Sequence, residues 1–263
     1  MFTVESFNKF VFADVEKMLM SKYGTTPGFE STVVVLGATL AKITPEQFRQ
    51  QHLGMRVVVY NLEQLFKGSP WVNQTNLAWI RFADEVWDYD VENIAFLNAN
   101  GIRASYVPME YCDELRYNTV FNGPKDIDVL FYGAPTDRRL KIIQSWMGLS
   151  QHKAVTVIAT GIGGALLENY IRRSKIILNL HAYEGIYRQE QVRMFVPVIN
   201  GCCVVSETSS RNEFSKAIVE SSTRGMNQTL KTLIKSGDWE KVAQNAAETY
   251  KVHCQNRFRS NLR

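Results

Sequence analysis

The chain has 263 residues, of which 45% are apolar and 21% charged, and a formal net charge of +4. That is an ordinary globular balance, long enough for one large or two small domains with a real core. The mild positive charge suits an anionic small ligand and falls short of the basic footprint of a dedicated nucleic-acid binder.

In chain order, the start "MFTVESFNKFVFADVEKMLMSKYG" mixes acids and bases through its apolar residues, unlike a signal peptide. Phe7, Phe10, Val11, Val15, Met18 and Leu19 have helical spacing, so the segment is predicted as a helix, broken by "GTTPGFES". "TVVVLGAT" (Thr32 to Thr39) is a continuous β-branched run ending in glycine, as in a parallel strand buried on both faces. A helix near "TPEQFRQQHL", a strand from Arg56 to about Asn61, a helix at "NQTNLAWIRFA" and a short strand at "DEVWDYD" follow. "VENIAFLNANG" is a helix closed by Gly101, and "RASYVPMEY" a fourth strand.

"YNTVFNGPKDI" has linker chemistry, and then the pattern restarts. "DVLFYGA" is a strand, and "TDRRLKIIQSWMG" a helix capped by Thr136 or Asp137. "AVTVIAT" is a strand, "GIGG" a turn and "ALLENYIRRS" a helix. "KIILNLH" is a strand, "RQEQVRMFVPVING" a helix that Pro197 should kink or end early, and "CCVVSE" a strand. From about Ser209 the chain reads as mostly helical, to a solvated basic tail "QNRFRSNLR".

Strands alternating with helices imply α/β architecture with parallel sheets. The repeat around residues 118–126 divides the chain into two Rossmann-like domains, 1–120 and 121–263. Their sheets are expected to face each other across a cleft, with the last helix as a candidate to pack back on the first domain. No run reaches the ~18 apolar residues of a membrane span. Cys112, Cys202, Cys203 and Cys254 show no zinc spacing and read as buried free thiols, so a cytoplasmic, reducing location is expected.

In such sheets ligands lie outside the carboxyl ends of the strands, so the residues found there are the candidates. Gly133, with Arg138, Arg139 and Lys141 behind it, forms an anion site at a helix start, Arg139 slightly preferred as the fork; the plain alternative is a solvated helix face. Gly161 and Gly163 make a tight turn or let a flat base lie near the backbone; they lack the third glycine of a dinucleotide fingerprint. Asp88 and Asp90 form a DxD that can chelate a divalent metal, although Asp90 also sits where a helix N-cap belongs. His181 can polarise a phosphate, act in acid–base work, or only hold structure. Glu190, placed in the first turn of a helix starting near Tyr187 or Arg188, can accept ribose hydroxyls or pair with Arg193 on the surface.

Three segments resemble one family. "ADEVWDYDVENIAFLNANGIRASYVPMEY" is similar to the end of the acceptor domain of GT-B nucleotide-sugar glycosyltransferases, and "DIDVLFYGAPTDRRLKII" to the opening of their donor domain. "RRSKIILNLHAYEGIYRQEQVRMFVPVINGCCVVSE" resembles their nucleotide-sugar segment. Glu184 and Glu190 are more closely spaced than the usual glutamate pair of retaining members, and Val196 occupies the ordinary place of the second glutamate. The resemblance implies a nucleoside-diphosphate sugar as donor, with no cofactor and no metal. The second half would hold the nucleotide through Gly133, Arg139, Lys141, Gly161, Gly163, Tyr183, Glu184, Glu190 and Arg193. The first half would take a glycan, polysaccharide or glycoprotein acceptor, with Glu63 as base, Asp88 next, and His181 as a further catalytic candidate. A metal-dependent GT-A transferase using Asp88 and Asp90, and a silent nucleotide- or sugar-binding module, are the alternatives.

Overall fold

The computed structural model describes residues 1–119, 121–147 and 156–260. The chain divides into two compact units, Met1–Met109 and Glu110–Arg263.

The first unit is a parallel sheet of β1 (Phe2–Ser6), β2 (Thr32–Leu36), β3 (Arg56–Asn61), β4 (Glu85–Asp88) and β5 (Ser105–Tyr106), in that spatial order. Helices α1 (Lys9–Tyr23), α2 (Pro45–Gln51), α3 (Gln74–Phe82) and α4 (Val91–Ala99) connect the strands. On one face Val33, Val35, Val57, Val59 and Val86 pack against Phe48, Trp79, Ile80 and Leu97 of α2 to α4. On the other, Tyr60 and Trp87 meet Tyr23, from the end of α1, and Phe29. Covering on both faces explains why all of β2 is buried and why its sequence does not alternate.

The single N-terminal helix expected from periodicity is corrected to a strand followed by a helix. Phe2–Ser6 pairs with β2, and α1 starts only at Lys9, where Asn8 Oδ1 accepts the Val11 N–H at 3.2 Å. Phe7 therefore packs on Phe48 and Trp79 from outside the helix, and Phe10 and Val11 are exposed. Within "RASYVPMEY" only Ser105 and Tyr106 pair as strand.

The second unit holds β6 (Ile127–Tyr132), β7 (Thr156–Ala159), β8 (Ser174–Asn179), β9 (Cys203–Glu207) and β10 (Val219–Ser221). All are parallel, in the order β10-β9-β8-β6-β7. The direction of chain progress thus reverses between β6 and β8, and the loops leaving these two strands diverge, which opens a crevice at their carboxyl ends. Its helices are α5 (Asp137–Met147), α6 (Gly164–Arg173), α7 (Gln191–Ile199), α8 (Met226–Ser236) and α9 (Trp239–Ser260), with α9 packed on α7, β8 and β9. Ala154 and Val155 of the strand predicted at "AVTVIAT", and the last three residues of the basic tail, lie outside the described residues. The short β10 replaces part of the stretch expected to be helical.

Pro197 neither ends nor interrupts α7 early; the helix runs two residues past it. A proline there removes the N–H that would bond Arg193 O one turn back. The Tyr132 hydroxyl, at the end of β6, donates to that carbonyl instead. All four cysteines are free and buried. Among the described residues, no helix is long and apolar enough to cross a membrane.

Candidate functional site

The crevice of the second unit is built from three turns. After β6, Gly133 has a φ of 121°, and a Cβ placed on it would lie 2.7 Å from Arg193 Nη2. The backbone conformation favours glycine here, and a side chain would displace the Arg193 guanidinium that lies against the main chain. Thr136 Oγ1 then receives the Arg139 N–H at 3.4 Å as α5 begins.

The adjacent arginines of α5 part at once. Arg138 grips Glu207 at the end of β9 with two nitrogens, at 2.7 and 2.8 Å, and also donates to His181 O and to Glu184, both at 2.9 Å. Arg139 is buried and turned inward. It donates to Leu180 O at 2.9 Å, Ala134 O at 3.0 Å and Glu190 Oε1 at 3.1 Å. Arg193 differs from both. Its Nη1 donates to Asn179 Oδ1 at 2.8 Å, while Nε and Nη2 have no protein acceptor among the described residues. The Phe131 ring lies beneath both Arg139 and Arg193.

Glu190 is the hub. It precedes α7, so the predicted helix start near Tyr187 or Arg188 moves to Gln191, and its side chain turns into the cluster without capping the helix. It accepts from Arg139, Ala182 N, Asn179 Nδ2 and the His181 ring. Burial works against its charge, but His181, Arg193 and Arg139 outweigh burial and hold its carboxyl down at about 2. Glu207 is likewise held low: burial opposes its charge, and Arg138, Thr223 and the His181 N–H prevail. Burial and the nearby Arg193 pull Arg139 down to about 10. Burial also opposes charge on His181, yet Glu190 and Thr208 O raise it above an ordinary histidine.

The structure therefore gathers Gly133, Arg139, Glu190, Arg193 and His181 into one cluster. Tyr183 and Glu184 occupy its outer turn, with the Glu184 side chain 86% exposed. Lys141 is exposed on α5, and Gly161 and Gly163 follow β7 before α6. Sequence reasoning passed over Asn179, which fixes Arg193. An asparagine inside the apolar run "KIILNLH" was the available signal, because a buried amide needs partners.

In the first unit, Glu63 lines a recess of about 10 Å³, with Gly37, Thr39, Tyr60 and Asn61, at the carboxyl ends of β2 and β3. That is room for roughly one water-sized group. Burial pushes the Glu63 carboxyl up to about 7. Asp88 is fully buried below it, and burial raises its carboxyl well above the usual range. It accepts from Asn61 Nδ2 at 2.7 Å, Asp90 N at 2.9 Å and Asn93 Nδ2 at 3.0 Å, and both amides also donate to Glu63 O at 2.8 Å. Asp88 thus holds the Glu63 loop. Asp90 caps α4 through the Glu92 and Asn93 N–H groups.

No protein-family model and no curated protein matches the sequence. Solved structures match in fold. The crystal structure of TarM aligns with a TM-score of 0.59 at 12% identity, over 88% of this chain and 54% of that one. This chain thus spans about half the length of TarM. An alpha-glucosyltransferase, solved in complex with UDP and a 13-mer DNA containing an HMU base, aligns with a TM-score of 0.54 at 11% identity, over 87% of this chain and 78% of that one. What they share with this chain is the GT-B fold: an α/β chain with two parallel, Rossmann-like sheets.

Proposed function

With the GT-B fold as premise, we propose that the chain is a glycosyltransferase that moves a sugar from a nucleoside-diphosphate sugar to an acceptor hydroxyl without a metal ion. The observation that carries this is Arg193: a guanidinium with unengaged donors, laid against Gly133 at the point where the strand order of the second sheet reverses. A fork in that place suits a phosphate.

The second unit, 121–263 in the division predicted from sequence, binds the donor. Arg193 takes the diphosphate and stabilises charge as it builds on the leaving group, with Lys141 adding charge from α5. Arg139 and Glu190 lie beneath as its support. Glu184, the exposed carboxylate of the turn, suits ribose hydroxyls better than the enclosed Glu190. Tyr183 borders the sugar, and Gly161 and Gly163 leave room for the base. The first unit takes a glycan, polysaccharide or glycoprotein acceptor. Glu63 removes the proton from its hydroxyl oxygen as that oxygen attacks the sugar, and Asp88 positions Glu63. Asp88 and Asp90 both use their carboxylates on N–H donors, which speaks against a metal-chelating pair.

Thermal shift against UDP, GDP, ADP and their sugars, in EDTA, tests this. At least one is expected to raise the melting temperature and to support sugar transfer. If no nucleotide shifts it at millimolar concentration, the donor-site reading fails. Binding without transfer would leave a silent binding module.

A further inference from the structure

His181 is a buried titratable group that the proposed reaction does not use. It lies in the turn after β8 and is 1% exposed. Nε2 is 3.1 Å from Thr208 O, a carbonyl, which only accepts. Nδ1 is 3.3 Å from Glu190 Oε2. That carboxylate already accepts from Arg139 Nη2 and Ala182 N on one oxygen and from Asn179 Nδ2 on the other. The Asn179 amide has one possible orientation, because Arg193 Nη1 donates to its oxygen and a guanidinium accepts from nothing. Three N–H donors keep Glu190 ionised. With an ionised carboxylate on one side and a carbonyl on the other, both ring nitrogens must carry hydrogen.

We propose that His181 is a resident imidazolium that ties the loops after β8 and β9 together, and whose charge sets the crevice's affinity for a diphosphate, so that this affinity falls in alkaline solution. Only the identity of the anion rests on the donor-site reading; the charge of the ring does not. The charged and titratable groups facing the ring come from every side. Glu190 leads into α7, and Glu207 of β9 accepts the His181 N–H at 2.6 Å. Arg138 of α5 donates to His181 O, while Arg139 and Arg193 lie across Glu190. The Tyr187 ring packs edge-on at 6.1 Å. The guanidiniums of Arg138, Arg139 and Arg193 stand against the carboxylates of Glu190, Glu207 and the exposed Glu184, so the imidazolium supplies the net positive charge that faces a diphosphate. Loss of the proton sets a lone pair against either Glu190 or Thr208 O, so one of the ring's two hydrogen bonds breaks and the net positive charge is lost.

The full chain, ¹⁵N-labelled at histidine, is read by NMR. His52, His152 and His253 are replaced by glutamine to assign the His181 signals. Both His181 ring nitrogens are expected to be protonated at neutral pH, and a neutral ring there overturns the inference. Inorganic pyrophosphate and UDP are then titrated calorimetrically into the wild type and His181→Gln at about pH 6.5, the ordinary histidine value, and at about pH 9. The wild type is expected to lose about tenfold in affinity across this range, the order of one nearby charge in a partly shielded site. His181→Gln is expected to be weak at both pH values and to change by less than about twofold. Equal pH slopes in the two proteins overturn the inference. If neither ligand binds the wild type at any pH, the donor-site reading and the affinity claim fall together, and the ring spectra decide the charge by themselves.

Discussion

Arg139 and Arg193 share Phe131 and the Glu190 neighbourhood but are different kinds of arginine. Arg139 has its nitrogens on two carbonyls and a buried carboxylate. Arg139→Ala leaves Glu190 short of a cation inside the protein and should cost ~3–5 kcal/mol of stability, measured by urea unfolding. Arg193→Ala removes a fork with open donors. It should leave the melting temperature within a few degrees and weaken UDP about tenfold or more, as loss of charged hydrogen bonds does. The reverse pattern would place the anion on Arg139. In the first unit, Glu63→Gln should spare UDP affinity and abolish transfer. Because burial raises the Glu63 carboxyl to about 7, the wild-type rate should fall as pH drops below about 7, well above the ordinary glutamate range. A rate that is flat down to about pH 5 removes Glu63 as base.

Most elements were legible from sequence, for physical reasons that also mark the failures. The β2 and β3 runs are continuous and β-branched because helices cover both sheet faces, and Asp90 and Gly101 bound α4 as a cap and a left-handed stop. The β1 strand was hidden because five residues give too little alternation to compete with the helical spacing that follows. The β10 strand, of three residues, carries no period at all. The continuation of α7 through Pro197 was illegible for another reason: the missing donor is replaced by Tyr132, sixty-one residues before the Arg193 carbonyl it serves. The site was half legible in the same way. Strand-end positions marked the residues, but which arginine meets which carboxylate is decided by contacts across distant turns. Tyr132→Phe isolates one such contact. It should lower stability by ~1 kcal/mol, the value of one hydrogen bond, and weaken UDP binding by loosening the turn that carries Arg193. Unfolding midpoints and calorimetry with unchanged UDP affinity would show that the Tyr132 hydroxyl serves the helix alone.

Across the whole molecule, the carboxylates of the two candidate sites have opposite pKa shifts. Glu190 and Glu207 are held below an ordinary glutamate. Their stabilisation is complete above about pH 4.3 and is lost as pH falls through their lowered values, toward about 2 for Glu190. Glu63 and Asp88 are raised, so these two groups add stability to the first unit as pH falls from neutral and they take up protons in the folded state, against the smaller loss at Asp84, which Arg49 holds low. His181 adds stability to the second unit that is lost as pH rises through its raised value. Acid should therefore open the second unit first. Peptide-resolved hydrogen exchange at about pH 3 should show β8 and β9 losing protection before β2 and β3. Simultaneous loss would mean that these clusters do not govern acid stability.

The spatial orders of the two sheets have a countable consequence. The second sheet reverses direction once, between β6 and β8, whereas the first runs β1-β2-β3-β4-β5 without reversal. A sheet laid down in one direction has no pair of diverging loops in which to seat a nucleotide. The two halves, alike in strand count and in parallel pairing, are therefore not duplicate binding modules. Calorimetric saturation should come at one nucleotide per chain, and a stoichiometry of two would mean that the first sheet binds as well.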